Sequence, residues 1–360
     1  MSNFFLSSLI LLSTVIGVGV FALPFVLVKS GLAWYIFWSI FWLLTLSLFY
    51  LIYLELLLKS GGRVNFPGIL ANFIKPIFRF VGWLLDIITY GVTLLLYLLV
   101  VSEFIPELIP MNPLLAKIIF SLISFVFVVF NLKIFSRLEA FLGILIIFLT
   151  LYFAYFGFTQ GTFLSISFDN KPLAAYGPLF FALSGISAVP VMYDLLKDKK
   201  KFFITTSLTY FIIVIIYFLF ALGIVYLTSG NVDEMSLVTL KKYLKPQVFN
   251  LSIVLLLINI FTTFIEMLYY LKRGLQNEFN FSSSLSNIFI LFFIIFLSFL
   301  PKFHFLSLIE FLGNFSLSLE TLFLSYIYLK LPREKVAIPK IVIIFLSVFI
   351  LIGFIHGIIK

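Results

Sequence analysis

Ser13-Thr14-Val15-Ile16-Gly17-Val18-Gly19-Val20-Phe21-Ala22-Leu23-Pro24 and Phe180-Phe181-Ala182-Leu183-Ser184-Gly185-Ile186-Ser187-Ala188-Val189-Pro190 lie far apart in the chain and share the pattern G-x-x-A-x-P. Gly19, Ala22 and Pro24 match Gly185, Ala188 and Pro190 at a constant offset of 166 residues. Each copy sits inside a long apolar run. Glycine leaves helical geometry at little cost, while proline removes one helical hydrogen bond and disfavours helix in the residue before it. In lipid the backbone groups freed by such a break are costly unless protein, water, ion or substrate satisfies them. Glycine and proline also serve close packing or simple kinks in membrane helices. The matching of the two breaks favours a polar cavity near mid-membrane instead.

The rest of the chain supports a membrane setting. Of its 360 residues 63% are apolar and 11% charged, against roughly half and a quarter in globular proteins. The apolar runs are long and do not alternate, which predicts helices and excludes a membrane barrel. Eleven spans are expected, at 4–29, 32–58, 80–102, 114–131, 138–158, 175–196, 202–228, 248–271, 285–300, 305–329 and 338–358. The two breaks then fall in spans 1 and 6, five spans apart, so they face opposite ways through the bilayer. That arrangement is the mark of an inverted repeat with discontinuous helices. The first thirty residues read as a span and not a signal peptide, because no Lys or Arg precedes the apolar run and Pro24 stands where cleavage would occur.

Charge sets the expected orientation. With the N-terminus in the cytoplasm, sixteen of the 24 Lys and Arg residues face inward, among them Arg63, Lys133, Lys199, Arg273 and Lys335. Eight, including Lys29, Lys241 and Lys302, face outward, and the positive-inside rule makes this N-in, C-out arrangement the favoured one. The net charge of +9 comes from short clusters between apolar runs, which excludes a nucleic-acid-binding face. The lack of Cys rules out disulfides and thiolate metal sites. Two connections look structured: an interfacial helix over 67–74, and an outer segment starting near Asn231 and Glu234 and ending on Lys241, Lys242 and Lys245, which reads either as an amphipathic lid or as an ordinary solvated loop. Gly17 to Ala22 also fits the dinucleotide pattern G-x-G-x-x-A, but no strand precedes it and no acid follows at the ribose-binding distance.

TVIGVGVFALPFVLVKSG in span 1, YLELLLKSGGRVNFPG after span 2 and GPLFFALSGISAVPVMYDLLKDKKK in span 6 resemble the amino acid, polyamine and organocation superfamily of transporters, in particular its amino-acid and aromatic-amino-acid permeases of LeuT fold. The resemblance implies an all-α polytopic protein of about eleven transmembrane helices with a 5+5 inverted repeat, 4–158 and 175–329, and an additional span at 338–358. It implies that main-chain groups of Gly17, Val18 and Gly19 bind a substrate carboxylate, that Ile16, Phe181 and Ser184 take the amino group, and that Gly185 and Ile186 border the side chain. Tyr97 in span 3 is a further candidate for the substrate wall. For a coupling sodium ion it implies Ser13 and Ile16 of span 1 with Asn259, Thr262 and Thr263 of span 8. Threonine hydroxyls in membrane helices also bond back to the preceding turn. Glu266 is the candidate carrier if the coupling ion is a proton.

Among other acids, Glu55 is expected to pair with Lys59 and Asp86 with Arg79, while Glu310 and Glu320 fall in or beside span 10. His304 and His356 have no partners at ligand spacing. The expected function is secondary active transport of a neutral amino acid, either large and apolar or aromatic, across the cell membrane with sodium or protons. Neutrality follows from the lack of an acid at either break. No cofactor other than sodium is expected. A transport-inactive sensor or scaffold on the same fold is the alternative, and a membrane-embedded enzyme is disfavoured because no Ser/His/Asp set or metal cluster is found.

Overall fold

The computed structural model describes residues 3–61, 65–130, 135–162, 171–196, 198–332 and 338–359. Arg63, Lys133, Lys197, Arg333, Lys335 and Lys360, which enter the charge argument, lie outside the described residues. Among the described residues the secondary structure is helical throughout.

Span 1 consists of α1 (Asn3–Val15), a 3-10 turn (Val18–Ala22) and α2 (Leu23–Ser30), with its halves bent by 52°. Gly17 adopts extended geometry (φ −135°, ψ −153°) at the break. Span 6 consists of α8 (Tyr176–Leu183) and α9 (Ala188–Leu196), separated by Ser184 to Ser187. Pro24 and Pro190 stand in the first turns of α2 and α9, where a missing N–H costs nothing because those donors have no helical acceptor. The remaining crossings are α3 (Leu32–Lys59), α5 (Phe78–Leu108), α6 (Pro113–Val129), α7 (Phe135–Gln160), α10 (Lys199–Leu227), α12 (Pro246–Phe279), α13 (Ser283–Phe299), the pair α14 (Phe305–Phe311) and α15 (Ser318–Lys330) joined by a π turn, and α16 (Lys340–Ile359). With the two broken pairs these make eleven crossings among the described residues.

The two broken spans run antiparallel at the centre. Asn3 donates its side-chain N–H to Leu195 O at 3.0 Å, so the start of span 1 and the end of span 6 lie on one face of the molecule. The matched glycines lock the breaks together: a Cβ on Gly19 would meet Ala182 Cα at 3.0 Å, and one on Gly185 would meet Val15 Cγ2 at 2.5 Å. Elsewhere glycine likewise replaces side chain with backbone contact, as where Gly157 of α7 packs against Gly223 of α10, which is how helices associate when lipid is as apolar as their own side chains. The outward surface carries bare apolar side chains such as Phe148, Phe292 and Ile341, 65–71% exposed, as a lipid-facing wall requires.

Two connections differ from expectation. The helix near 67–74 is present as α4 (Phe66–Phe73), yet Ile69 and Leu70 are fully buried against the protein, chiefly α5, where Pro67 lies over Gly82. A buried apolar stripe looks the same in sequence whether lipid or protein covers it. The outer lid is shorter than expected: α11 covers only Ser236–Leu240. Glu234 does not cap it, and its carboxylate instead accepts the Leu306 N–H at 3.2 Å, tying the loop to span 10.

Candidate functional site

The N–H groups of Gly17, Val18 and Gly19 make no backbone hydrogen bond among the described residues; Val20 N–H is the first to return, to Gly17 O at 3.3 Å. In span 6 the N–H groups of Ile186 and Ser187 are likewise uncommitted to backbone, while Ala188 and Val189 bond back to Gly185 O and Ile186 O. Two tyrosines satisfy other groups released by the breaks. Tyr217 of α10 directs its hydroxyl at Val15 O (3.0 Å) and Ala182 O (3.1 Å), one carbonyl from each broken span. Tyr50 of α3 accepts the Gly185 N–H. Neither tyrosine was identified from sequence, where seventeen tyrosines offer no periodic signal to separate a hydroxyl aimed at a break from one aimed elsewhere.

The breaks form the floor of a cavity of about 900 Å³. Gly17, Val18, Gly19, Phe181, Ser184, Gly185 and Ile186 line it, with Tyr97, Thr93, Tyr90 and Thr89 descending one side of α5, and Thr263, Glu266, Tyr270, Arg273 and Asn277 descending α12. The α5 residues lie toward the start of their helix and the α12 residues toward the end of theirs, so the cavity runs from mid-membrane to the face that carries the N-terminus. On the two broken segments its polar groups are main chain, Thr14, Ser184 and Ser187, with no acid among them; Thr93, Tyr97, Glu266, Arg273 and Glu320 line the surrounding helices. A Cβ built on Gly17 would meet nothing closer than the Tyr97 hydroxyl, at 3.9 Å.

The structure does not place every candidate on this cavity. Ile16 is fully buried behind the floor and does not line it. The candidates for the coupling ion, the sodium set and the proton carrier Glu266, are divided. Thr263 and Glu266 line the cavity, whereas Ser13, Asn259 and Thr262 do not. Ser13 packs on Gly143 of α7 and donates to Ile10 O at 3.0 Å. Thr262 and Thr263 both donate to Asn259 O, at 2.9 and 3.0 Å. Helix α7 packs on both α1 and α12, and these two share no broad contact with each other. The buried Asn259 Oδ1 has no hydrogen-bond partner among the described residues and is chemically suited to a cation.

The acids also pair differently from expectation. Glu55 binds Lys199 at 2.9 Å, Asp86 accepts from the Tyr270 hydroxyl at 2.8 Å, and Arg79 pairs with Glu278 at 3.1 Å. Partners from remote helices are nearer in space than those one turn away, which sequence spacing cannot reveal.

The opposite face is closed. Lys29 of α2 pairs with Glu310 of α14 (3.2 Å), Glu107 of α5 with Lys241 beside α11 (2.6 Å), and Glu103 of α5 with Lys302 before α14 (2.7 Å). Helix α11 packs on the outer half of span 1.

No family model and no curated protein matches this sequence. Solved structures do match in fold. MhsT in complex with L-phenylalanine aligns with a TM-score of 0.66 at 16% identity, covering 99% of this chain and 98% of its own. Mhp1, a nucleobase-cation-symport-1 family transporter in a closed conformation with bromovinylhydantoin bound, gives 0.65 at 14% identity over 100% and 90%. A Na+-coupled sialic acid symporter in a substrate-bound outward-open state gives 0.65 at 12% identity over 100% and 90%. The chain has the LeuT fold. Within that fold the glycine-rich break of span 1 and the matched break of span 6 form the floor of this protein's cavity.

Proposed function

We propose that this protein is a secondary active transporter that moves a neutral amino acid across the membrane by alternating access. The observation that carries the reading is the cavity floor, where uncommitted N–H groups of Gly17, Val18 and Gly19 sit beside the span 6 break at the end of a path open to one side only. Main-chain donors gathered at a helix break suit a carboxylate. Phe181 and Ser184 supply main-chain and hydroxyl oxygens for an ammonium group. Tyr97 and Ile186 provide an apolar and aromatic border, which favours a large apolar or aromatic side chain, and the lack of an acid at the floor disfavours a cationic one. The phenylalanine complex of MhsT, on the same fold, agrees with this chemistry.

In this reading the repeats 4–158 and 175–329 exchange access around the fixed breaks, and the conformation is the one open to the cytoplasm, with the outer ion pairs shut. Uptake into reconstituted vesicles, screened with the twenty common amino acids under imposed sodium or proton gradients, tests it. Accumulation of a neutral amino acid driven by one gradient is expected. Binding without flux would identify a sensor, and neither binding nor flux with any amino acid would overturn the substrate class.

A further inference from the structure

Asp86 of α5 and Glu320 of α15 are 4% and 7% exposed, inside the apolar part of the protein. Asp86 lies eight residues into its helix, about 12 Å from its start, and Glu320 about 15 Å from Lys330 at the end of its own. Thr89, one turn beyond Asp86, donates its hydroxyl to Glu320 Oε1 at 2.7 Å, and Tyr270 donates to Asp86 Oδ2 at 2.8 Å. Asp86 and Thr89 stand three residues apart on one face of α5, so the Glu320 carboxyl held by Thr89 lies about one helical turn from Asp86. Among the described residues no Lys, Arg or His forms an ion pair with either, because Arg79 is held by Glu278 and Arg273 lies over the Tyr269 ring at 4.6 Å. Tyr53 of the neighbouring α3 is also buried, 6% exposed. Glu320, Thr89, Tyr90 and Tyr270 line the cavity, which opens Glu320 to water from the N-terminal face.

We propose that Asp86 and Glu320 form a proton-binding site that exchanges with the inner cavity, at least one of the two carboxyls being protonated in the conformation seen here. Two like charges side by side in a low-dielectric interior cannot both persist without a counter-charge, and a proton is the smallest group that removes one. A metal cation fits less well, because Thr89 and Tyr270 turn their hydroxyl protons toward the carboxyls, whereas a cation needs their lone pairs. The titratable groups around the pair are Tyr53 from α3, Tyr90 from α5, and Tyr270 and Glu278 from α12, while Arg79 pairs with Glu278, and Arg273 and Glu266 line the cavity. Lys272 on α12 is engaged by Val128 O at 3.1 Å on α6. As a coupling site the pair rests on the transport reading above; as a proton site it does not.

The test uses the purified full chain in lipid nanodiscs, without substrate. Infrared spectra recorded through a pH titration are expected to show a protonated-carboxyl band at neutral pH, lost from Glu320→Gln and altered in Asp86→Asn, with sodium leaving it unchanged. Dicyclohexylcarbodiimide, which modifies protonated carboxyls in apolar surroundings, should label Glu320 or Asp86 at neutral pH. A band that sodium abolishes, or that survives in both variants, would overturn the proposal, as would the lack of band and label in the folded wild type. Proton-driven flux lost from Glu320→Gln, with the band also lost, ties the site to coupling; the band without any flux would leave the proton site standing and remove transport alone.

Discussion

Gly17, Gly19 and Gly185 look alike in sequence and do different work. At Gly17 an added Cβ has open space short of the Tyr97 hydroxyl, so Gly17→Ala is expected to keep thermal stability near wild type while intruding on the cavity floor. Its amino-acid binding, measured by calorimetry, should fall about tenfold or more if one hydrogen bond to a charged carboxylate is lost. Gly19→Val and Gly185→Val force branches against Ala182 and Val15 and should destabilise the fold by about 1–3 kcal/mol. Gly143 is no neutral comparison, because a Cβ there would meet Ser13 Cβ at 2.5 Å beside the break; Gly274, whose Cβ would meet only Trp83 at 3.5 Å, serves better. Tyr217→Phe removes the hydroxyl shared by Val15 O and Ala182 O. Leaving those carbonyls unsatisfied should cost about 1–3 kcal/mol, read as a lowered melting temperature with no change in helix content.

The outer closure is a property of elements. Helices α2, α5, α11 and α14 are joined there by three ion pairs, each partly exposed, and such pairs contribute roughly 0–1 kcal/mol apiece. Three together shift a two-state equilibrium by at most about a hundredfold. Neutralising Glu103, Glu107 and Glu310 to Gln at once should therefore raise outward opening without unfolding the protein. A cysteine replacing Val26, fully buried in the outer half of span 1, would report it. Since the chain has no other Cys, its maleimide labelling rate should rise in the triple variant, and an unchanged rate would show that apolar packing of α11 keeps the face shut.

Across the whole molecule, the cavity opens on the face that holds the N-terminus and the Glu55–Lys199 pair. Under the positive-inside reading that face is cytoplasmic. Single cysteines at positions 61 and 199 should then react only from the inside, and one at 230 only from the outside, in oriented vesicles. A cysteine at Ser187, on the cavity floor, should follow the inner pair. Outside labelling at 199 would invert the topology, and equal labelling of 187 from both faces would show that the outer barrier is leaky.

Composition and apolar run length were enough to establish helices in lipid, because each span hydrogen-bonds within itself and needs no remote partner to be recognised. The matched G-x-x-A-x-P segments were enough to place both breaks, since glycine and proline act on local backbone geometry. Tertiary structure alone decided which side chains meet at those breaks. Tyr217 and Tyr50 come from spans 7 and 2, Glu320 takes the Thr89 hydroxyl from seven spans away, and Glu55 takes Lys199 over its neighbour Lys59. These contacts depend on the relative rotation and depth of packed helices, quantities that no local pattern encodes in a chain whose spans are mostly apolar.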